Sequence, residues 1–563
     1  MLFSTPASYK SYIRLFILLI ILSEYTGDVF AATYYCDPVY GSINNDGSKH
    51  TPWSGLGDVF NKKIAFAGGD TIRLRTGNHG FVIVRGENSA HVVILPDENA
   101  EPVIEHINFS SYGNEPTGYW KIQDLKIVSE STNGLPKHDY YLIHMFAKAH
   151  DIILENLIVA STENTAGWTR DDWRNRCNGG IITSAGLNSH IIITDCTVQN
   201  VTFGITVSSS DCLIKNNVVR NFTNDGTRVL GSRITFTENK VLDLIKVMTN
   251  DENHDDLFQA FTAAQPGRDT LQDCVISGNV FINTTDTNRD FVGPAQGIGC
   301  FDGPLLRWVI ENNIVMTDHW HGISLYGAID CAIKNNIAID PYRITPVDPY
   351  DPGSQNIGPT WIRIDEKNNG PKSYGNKLFN NISQNAVILA KPYMGKEYNN
   401  LVIKNIDNYP TYFFQTDDIT RPATFDLHHT DDSPAIDNGT SVNAPVTDLD
   451  GNTRPQGDGI DIGAYEKVIN TTTQQISAIE KSIVLYPNPN NDGFFLKLPY
   501  AGSIRHEISI IDLLGKTVPF KIINFNPDSG IYYISHDLNT GLYIIKIEYT
   551  NKSTTHKFVV IPK

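Results

Sequence analysis

The chain has 563 residues, with 45 Lys and Arg against 62 Asp and Glu and a formal net charge of −17. At 40% hydrophobic and 19% charged it is globular rather than disordered, and its acidity excludes nucleic acid, whose phosphates demand a basic footprint. A polyanionic ligand requires a local basic groove or a bridging cation on such a surface.

Residues 1–32 read as a signal peptide. Lys10 and Arg14 precede the apolar run Leu15–Leu22, and Val29-Phe30-Ala31-Ala32 supplies small residues for cleavage. The run is too short to span a bilayer and no later stretch qualifies, so no transmembrane segment is expected in the mature chain.

From 33 to 466 the sequence repeats. An Asn flanked by apolar residues recurs at Asn156, Asn217, Asn239, Asn279, Asn313, Asn336 and Asn381, with Cys196 in the Asn place of one copy. The steps run from 21 to 45 residues. Short steps match one coil of a β-solenoid; long ones match two coils, or one coil with an insertion. A single coil cannot bury its apolar face, but stacked coils can. An Asn at a fixed turn can bond to the backbone and to its neighbours above and below. The expected fold is therefore all-β, a right-handed parallel β-helix. Seven Cys exclude a fully paired framework within the chain. Cys212, Cys274 and Cys331 each precede a ladder Asn by five residues and read as small buried residues at one coil position.

Registering the coils on the Asn positions aligns polar clusters. Asp225 stands eight residues after Asn217, and His321 eight after Asn313. Strand alternation then puts Arg228, Ser324 and Arg363 on one outward track. The candidate strip comprises Asp225, Arg228, His254, Asp255, Asp256, Gln259, Gln296, Asp302, His319, His321 and Arg363, with Trp320 and Tyr326 as platforms for sugar rings. Arg228, His254, Asp256, His319 and His321 are the catalytic candidates, and the others are candidates for holding substrate. Asp255 and Asp256 are also candidate ligands for Ca²⁺.

Three chemistries suit these residue types. β-Elimination on a uronic acid needs a neutralising cation, a base such as His and an acid such as Tyr326. Hydrolysis needs two carboxyls, Asp256 with Asp225 or Asp302. C5 epimerisation shares the first half of elimination. The coil repeats resemble the broad group of right-handed parallel β-helix carbohydrate-active proteins, which includes polysaccharide lyases, C5-epimerases and polygalacturonase-like hydrolases. The resemblance implies a polysaccharide substrate. Together with the strip it makes a lyase acting on a uronic-acid-containing polysaccharide the first expectation, ahead of a hydrolase, an epimerase or a non-catalytic surface adhesin. The Lys and Arg signature of alginate and dermatan lyases and the Asp-Pro-His-Asp signature of epimerases are absent.

Ser433-Pro434-Ala435-Ile436-Asp437, then Asp448-Leu449-Asp450-Gly451, resemble the closing segment of secreted bacterial β-helix proteins. A capping turn is favoured there over a Ca²⁺ site at Asp448 and Asp450. Residues 467–480 are polar and read as a linker. Over 481–563, Tyr486-Pro487-Asn488-Pro489, Asp512-Leu513-Leu514-Gly515-Lys516 and Leu538-Asn539-Thr540-Gly541-Leu542-Tyr543 punctuate alternating runs that suit a small β-sandwich. This segment resembles the C-terminal sorting domain of the type IX secretion system of Bacteroidota. The resemblance implies the secretion machinery as partner and export across the outer membrane.

Overall fold

The computed structural model describes residues 31–110, 115–129, 141–184, 190–247, 254–262, 270–341 and 358–468, and in the tail 484–486, 493–497, 507–512, 516–526, 531–549 and 552–560. Residues 1–30 of the expected signal peptide and 469–480 of the expected linker lie outside the described residues. The chain divides into two compact units, Met1–Lys467 and Val468–Lys563.

The first unit is a right-handed parallel β-helix built from three parallel sheets of 13, 12 and 11 strands, here called sheets I, II and III. One coil runs through Leu213–Lys215 in sheet I, Val218–Phe222 in sheet II and Thr227–Val229 in sheet III, and the next begins at Thr235–Thr237. Successive coils pair in register, as in Leu213↔Thr235, Val218↔Lys240 and Thr227↔Phe258. Alternation sends Ile214, Val219 and Val229 into a dry core that continues through the stack.

The turn between sheets I and II carries the ladder. Asn217 donates through Nδ2 to Asn239 Oδ1 at 2.9 Å, and the chain of amides continues through Asn279, Asn313, Asn336 and Asn381 to Asn400. Each Oδ1 also accepts the backbone N–H of the rung before it, as Asn239 does from Asn217 at 3.0 Å. Asn400 extends the ladder one rung beyond the sequence expectation. Asn156 leaves it. Ile153 pairs with Ile192, and Ile192 with Leu213, so Asn156 aligns with Asp195 and Asn216, all at left-handed φ between 52° and 58°. The rung of that coil is Leu157. The turn has two adjacent places that favour Asn, one for its tolerance of left-handed backbone and one for its amide, and the sequence pattern confuses them.

The long steps are single coils with insertions, because Ile153↔Ile192, Thr235↔Val275, Val275↔Val309 and Ala332↔Lys377 are direct neighbours. Three of the insertions, 161–178, 245–255 and 283–295, enter between sheets II and III. Trp173, Cys177, Ile245 and Val247, with Trp168 and Phe291, knit them into a side wall. Its helix Arg170–Arg176 starts with a capping box between Thr169 and Asp172.

All seven Cys are buried. Backbone pairing puts Cys212, Cys274 and Cys331 at one coil position in alternate coils, with Ile234 and Trp308 between them. Coils stack about 4.8 Å apart, so alternate thiols stand too far apart for a disulfide. The closing segment ends the core with Arg454 and Glu466, a fully buried pair at 2.6 Å. Asp448 accepts the N–H groups of Asp450 (3.0 Å), Asn452 (2.7 Å) and Glu466 (2.9 Å), which makes it a turn cap.

The second unit is a β-sandwich of two four-stranded antiparallel sheets. Phe494, Leu496, Ile510, Ile534, Ile545, Ile547 and Phe558 form its core.

Candidate active site on sheet III

Strand register brings most of the candidate strip together in two rows. One runs Thr206, Arg228, Gln259, Gly299, Ser324, Arg363. The other, three residues earlier on each strand, holds Asp225, Asp256, Gln296 and His321. Asp225 and His321 thus share a row, as their common offset from the ladder implies.

At one end Arg228 donates to Asp225 Oδ2 at 2.5 Å and lies 4.0 Å over the Phe203 ring. The other Asp225 oxygen accepts the Asp256 N–H at 3.0 Å. Burial pushes the Asp225 carboxyl up to about 6 against the pull of Arg228. One coil on, Asp256 accepts from Gln259 Nε2 at 2.8 Å. Its second oxygen, Oδ1, is buried and has no partner among the described residues, and the same holds for Gln296 Oε1. Both face Gly299, where an added Cβ would lie 2.2 Å from Asp256 Oδ1 and 3.0 Å from Gln296 Oε1. The glycine leaves a notch over two unsatisfied acceptors. Burial first, then the charges of Asp225 and Asp255, hold the Asp256 carboxyl well above the usual carboxylate range.

Beyond the notch stands His321. Trp361 Nε1 donates to Ser324 Oγ at 3.1 Å, and Ser324 Oγ lies 2.8 Å from His321 Nδ1. The serine proton has no other acceptor among the described residues. It therefore goes to Nδ1, and the neutral ring keeps its own proton on Nε2. Burial, with Arg363 and His254 behind it, pushes His321 down to about 4 and keeps it neutral. His319 is buried, accepts the His321 N–H on Nδ1 at 3.0 Å and stacks on the His321 ring at 5.2 Å. It supports His321 from behind. His254 is exposed at left-handed φ 45°.

The aromatic faces are richer than the sequence suggests. Trp320 stacks on Trp361 within 3° of parallel, and Phe301 meets Tyr326 and His321 edge-on. At the far end Arg363 binds Asp365 and lies 5.3 Å over Trp361. Asp302 sits off both rows, paired with Lys367 at 2.6 Å.

The two Ca²⁺ candidates engage different partners. Asp255 Oδ2 takes the Lys246 ammonium at 2.7 Å, and Asp256 turns to Gln259. Among the described residues no group of three or more His, Cys, Asp or Glu is arranged to hold a metal ion. Gly299 and Lys246 escape the sequence reading, though each leaves a trace. A glycine interrupts the strand Ile298-Gly299-Cys300, and a lone Lys stands between Ile245 and Val247.

Residues 484–561 match the secretion system C-terminal sorting domain. The chain thus carries the address for type IX export across the outer membrane to the cell surface or the medium. Among the described residues no helix is long and apolar enough to cross a membrane. No curated protein matches the chain in sequence. Among solved structures, pectate lyase Pel9A is similar at 14% identity and TM-score 0.42, covering 77% of this chain and 96% of its own. GH136 lacto-N-biosidase from Eubacterium ramulus follows at 14% and 0.36, covering 69% and 70%. The tailspike protein gp49 of Acinetobacter baumannii bacteriophage Fri1, a capsular polysaccharide depolymerase, is similar at 12% and 0.22, covering 90% and 75%.

Proposed function

We propose that the chain is a secreted enzyme that hydrolyses a polysaccharide laid along sheet III, with Asp256 protonating the leaving oxygen. The observation that carries this reading is the unpartnered, buried Oδ1 of Asp256 facing the Gly299 notch. A carboxylic acid kept neutral by its surroundings is the donor that glycosidic cleavage requires. Asp225 has both oxygens occupied and supports Asp256 from below. Asp302 is half-exposed and stands on the same strand as Gly299, which suits a carboxylate that activates a water. It is the base in this reading. His321 Nε2–H donates to a substrate oxygen, and Trp320, Trp361 and Tyr326 offer faces to sugar rings.

β-Elimination is the second reading. Arg228 and Arg363, four coils apart along one row, favour it because guanidinium groups suit carboxylate-bearing sugars. It requires His321 in the other tautomer, with a lone pair on Nε2.

The test incubates the full chain with alginate, pectin, ulvan and glycosaminoglycans and follows reducing ends alongside the ultraviolet absorbance of an unsaturated product. New reducing ends without absorbance, lost by about 100-fold or more in Asp256→Asn, support hydrolysis. Absorbance rising with the ends replaces it with elimination. An Asp256→Asn chain as active as the parent overturns the assignment of the acid.

A further inference from the structure

The first strand of sheet I, Thr33–Cys36, follows directly on the small residues that end the expected signal peptide. Thr33 pairs with Thr71, and the Thr71 N–H donates to Ala32 O at 2.8 Å, so Ala32 is already built into the first coil. Ala31, one residue earlier, is exposed.

Ala32 meets a carboxylate. Its backbone nitrogen donates to Asp70 Oδ1 at 2.8 Å, and Asp70 Oδ2 accepts the Ala67 N–H at 2.8 Å. The residues bonded around this contact, Ala67 and Thr71, carry no charge. Asp70 is only 2% exposed, and no Lys, Arg or His among the described residues is paired with it. Other buried carboxyls hold a cation, as Asp225 and Asp243 do with arginines, or more backbone donors, as Asp448 does with three. Two neutral N–H groups compensate a buried carboxylate poorly.

Val29-Phe30-Ala31-Ala32 offers a signal peptidase two bonds, after Ala31 or after Ala32. A cut after Ala31 puts Val29 and Ala31 at the two places that want compact residues, whereas a cut after Ala32 puts Phe30 at one of them. A cut after Ala32 also removes the nitrogen that Asp70 Oδ1 holds. We infer that the leader is cut between Ala31 and Ala32, and that the Ala32 α-ammonium so created is the counter-ion of Asp70. Hydrolysis takes up one water: Ala31 leaves as a carboxylate, and Ala32 keeps the nitrogen, which gains a proton near neutral pH. The first coil thus closes on a charge that exists only after processing, and the unprocessed chain holds this edge of the solenoid less firmly than the mature one.

The full chain, secreted with its own leader from a Gram-negative host, is read by intact mass and N-terminal sequencing. A product beginning at Ala32 is expected, and one beginning at Thr33 or at any residue before Ala32 overturns the assignment. Thermal unfolding then compares residues 32–563 with a chain lengthened by Gly-Ser before Ala31, which keeps an amide N–H at Ala32 but no charge. Asp70→Asn is expected to lower the melting temperature by roughly 2–4 °C in the first and by less than half as much in the second. Equal losses overturn the pairing. Where Asp70→Asn folds in neither, the two parents decide. An ammonium held by Asp70 titrates above its unfolded value of about 8, so its contribution is complete below that pH and is lost as pH rises through the folded value. The 32–563 chain should therefore melt above the lengthened one near neutral pH, and the gap should close by about pH 10. No gap, or one independent of pH, overturns the pairing.

Discussion

Replacing Asn313 by Ala cuts the ladder at a middle rung, and the structure gives the size of the effect. The Asn313 amide donates to Ile276 O at 2.8 Å and to Asn336 Oδ1 at 2.9 Å. Its carbonyl accepts the backbone N–H and the Nδ2 of Asn279, at 3.0 and 2.9 Å. After the substitution Asn336 Oδ1 keeps the backbone N–H of residue 313. The two Asn279 donors lose their acceptor, in a place where Asn279 and Asn313 are fully buried and water cannot enter. Each orphaned buried donor costs about 1–3 kcal/mol, so Asn313→Ala should lower stability by roughly 3–4 kcal/mol. Asn400 ends the ladder and is only part-buried, so water can serve Asn381 in its stead, and Asn400→Ala should cost about 1 kcal/mol. Urea unfolding followed by tryptophan fluorescence, with the slope of the transition checked for constancy, measures both. The double variant Asn279→Ala/Asn313→Ala should cost less than the sum of its parts, because one of the orphaned donors is removed with its residue. Equal losses at Asn313 and Asn400, or strict additivity of the pair, would refute the idea that the amides act as a continuous ladder.

Gly299→Ala drives a methyl group onto Asp256 Oδ1 and should reduce cleavage of any substrate found by about 100-fold or more while the chain still folds; an active Ala variant would remove the notch from the mechanism. Burial pushes the thiols of Cys196, Cys274 and Cys331 up to about 12, so they should resist a thiol reagent in the native chain at mildly alkaline pH and react at once in denaturant. Rapid native labelling at any of the three, located by mass spectrometry, would contradict the packing described. Burial opposes the charge on His428, but Asp426 at 2.5 Å and Asp450 at 2.7 Å outweigh it and hold the ring up to about 9. Its contribution to stability is therefore complete below the unfolded value of about 6.5 and is lost as pH rises through 9, by less than about 1 kcal/mol because the group is partly exposed. The melting temperature of the parent relative to His428→Gln should fall over that window, and a difference independent of pH would count against the pairing.

Much of this fold is legible because a solenoid writes the same constraint many times. Seven flanked Asn positions announce the coils, and a shared offset of eight residues puts Asp225 and His321 in one row before any coordinate is known. Legibility fails where two neighbouring places accept the same residue, as at Asn156, and where a side chain's partner arrives from a distant insertion. Lys246 meets Asp255 within one insertion, but its backbone is held by Arg170 and Phe291 from two others. Trp361, Ser324 and His321 form a relay through register across two coils, which no local pattern encodes. The meaning of Gly299 likewise depends on which carboxyl stands one coil away.

The placement of the insertions explains how a rigid stack can carry a divergent site. The turn between sheets I and II is fixed by the amide ladder, and an added residue there would displace that coil's rung and turn its inward side chains outward. Among the described residues the junction between sheets II and III has no continuous ladder, and segments 245–255 and 283–295 enter there without disturbing the pairing of Val241↔Phe281 or Phe258↔Ile298. Loop length can thus change beside the strip while the strands that hold Asp256, Gln296 and His321 keep their register. Long loops cost little in closure entropy, so the wall they build is limited mainly by its own packing. Here that packing is a small apolar cluster around Trp173 with one buried ammonium beneath it, which ties the wall to the carboxyl row. The arrangement of the strip therefore rests on two supports of different kinds: a repeated ladder that sets where the side chains stand, and a single unrepeated ion pair beside the carboxyls.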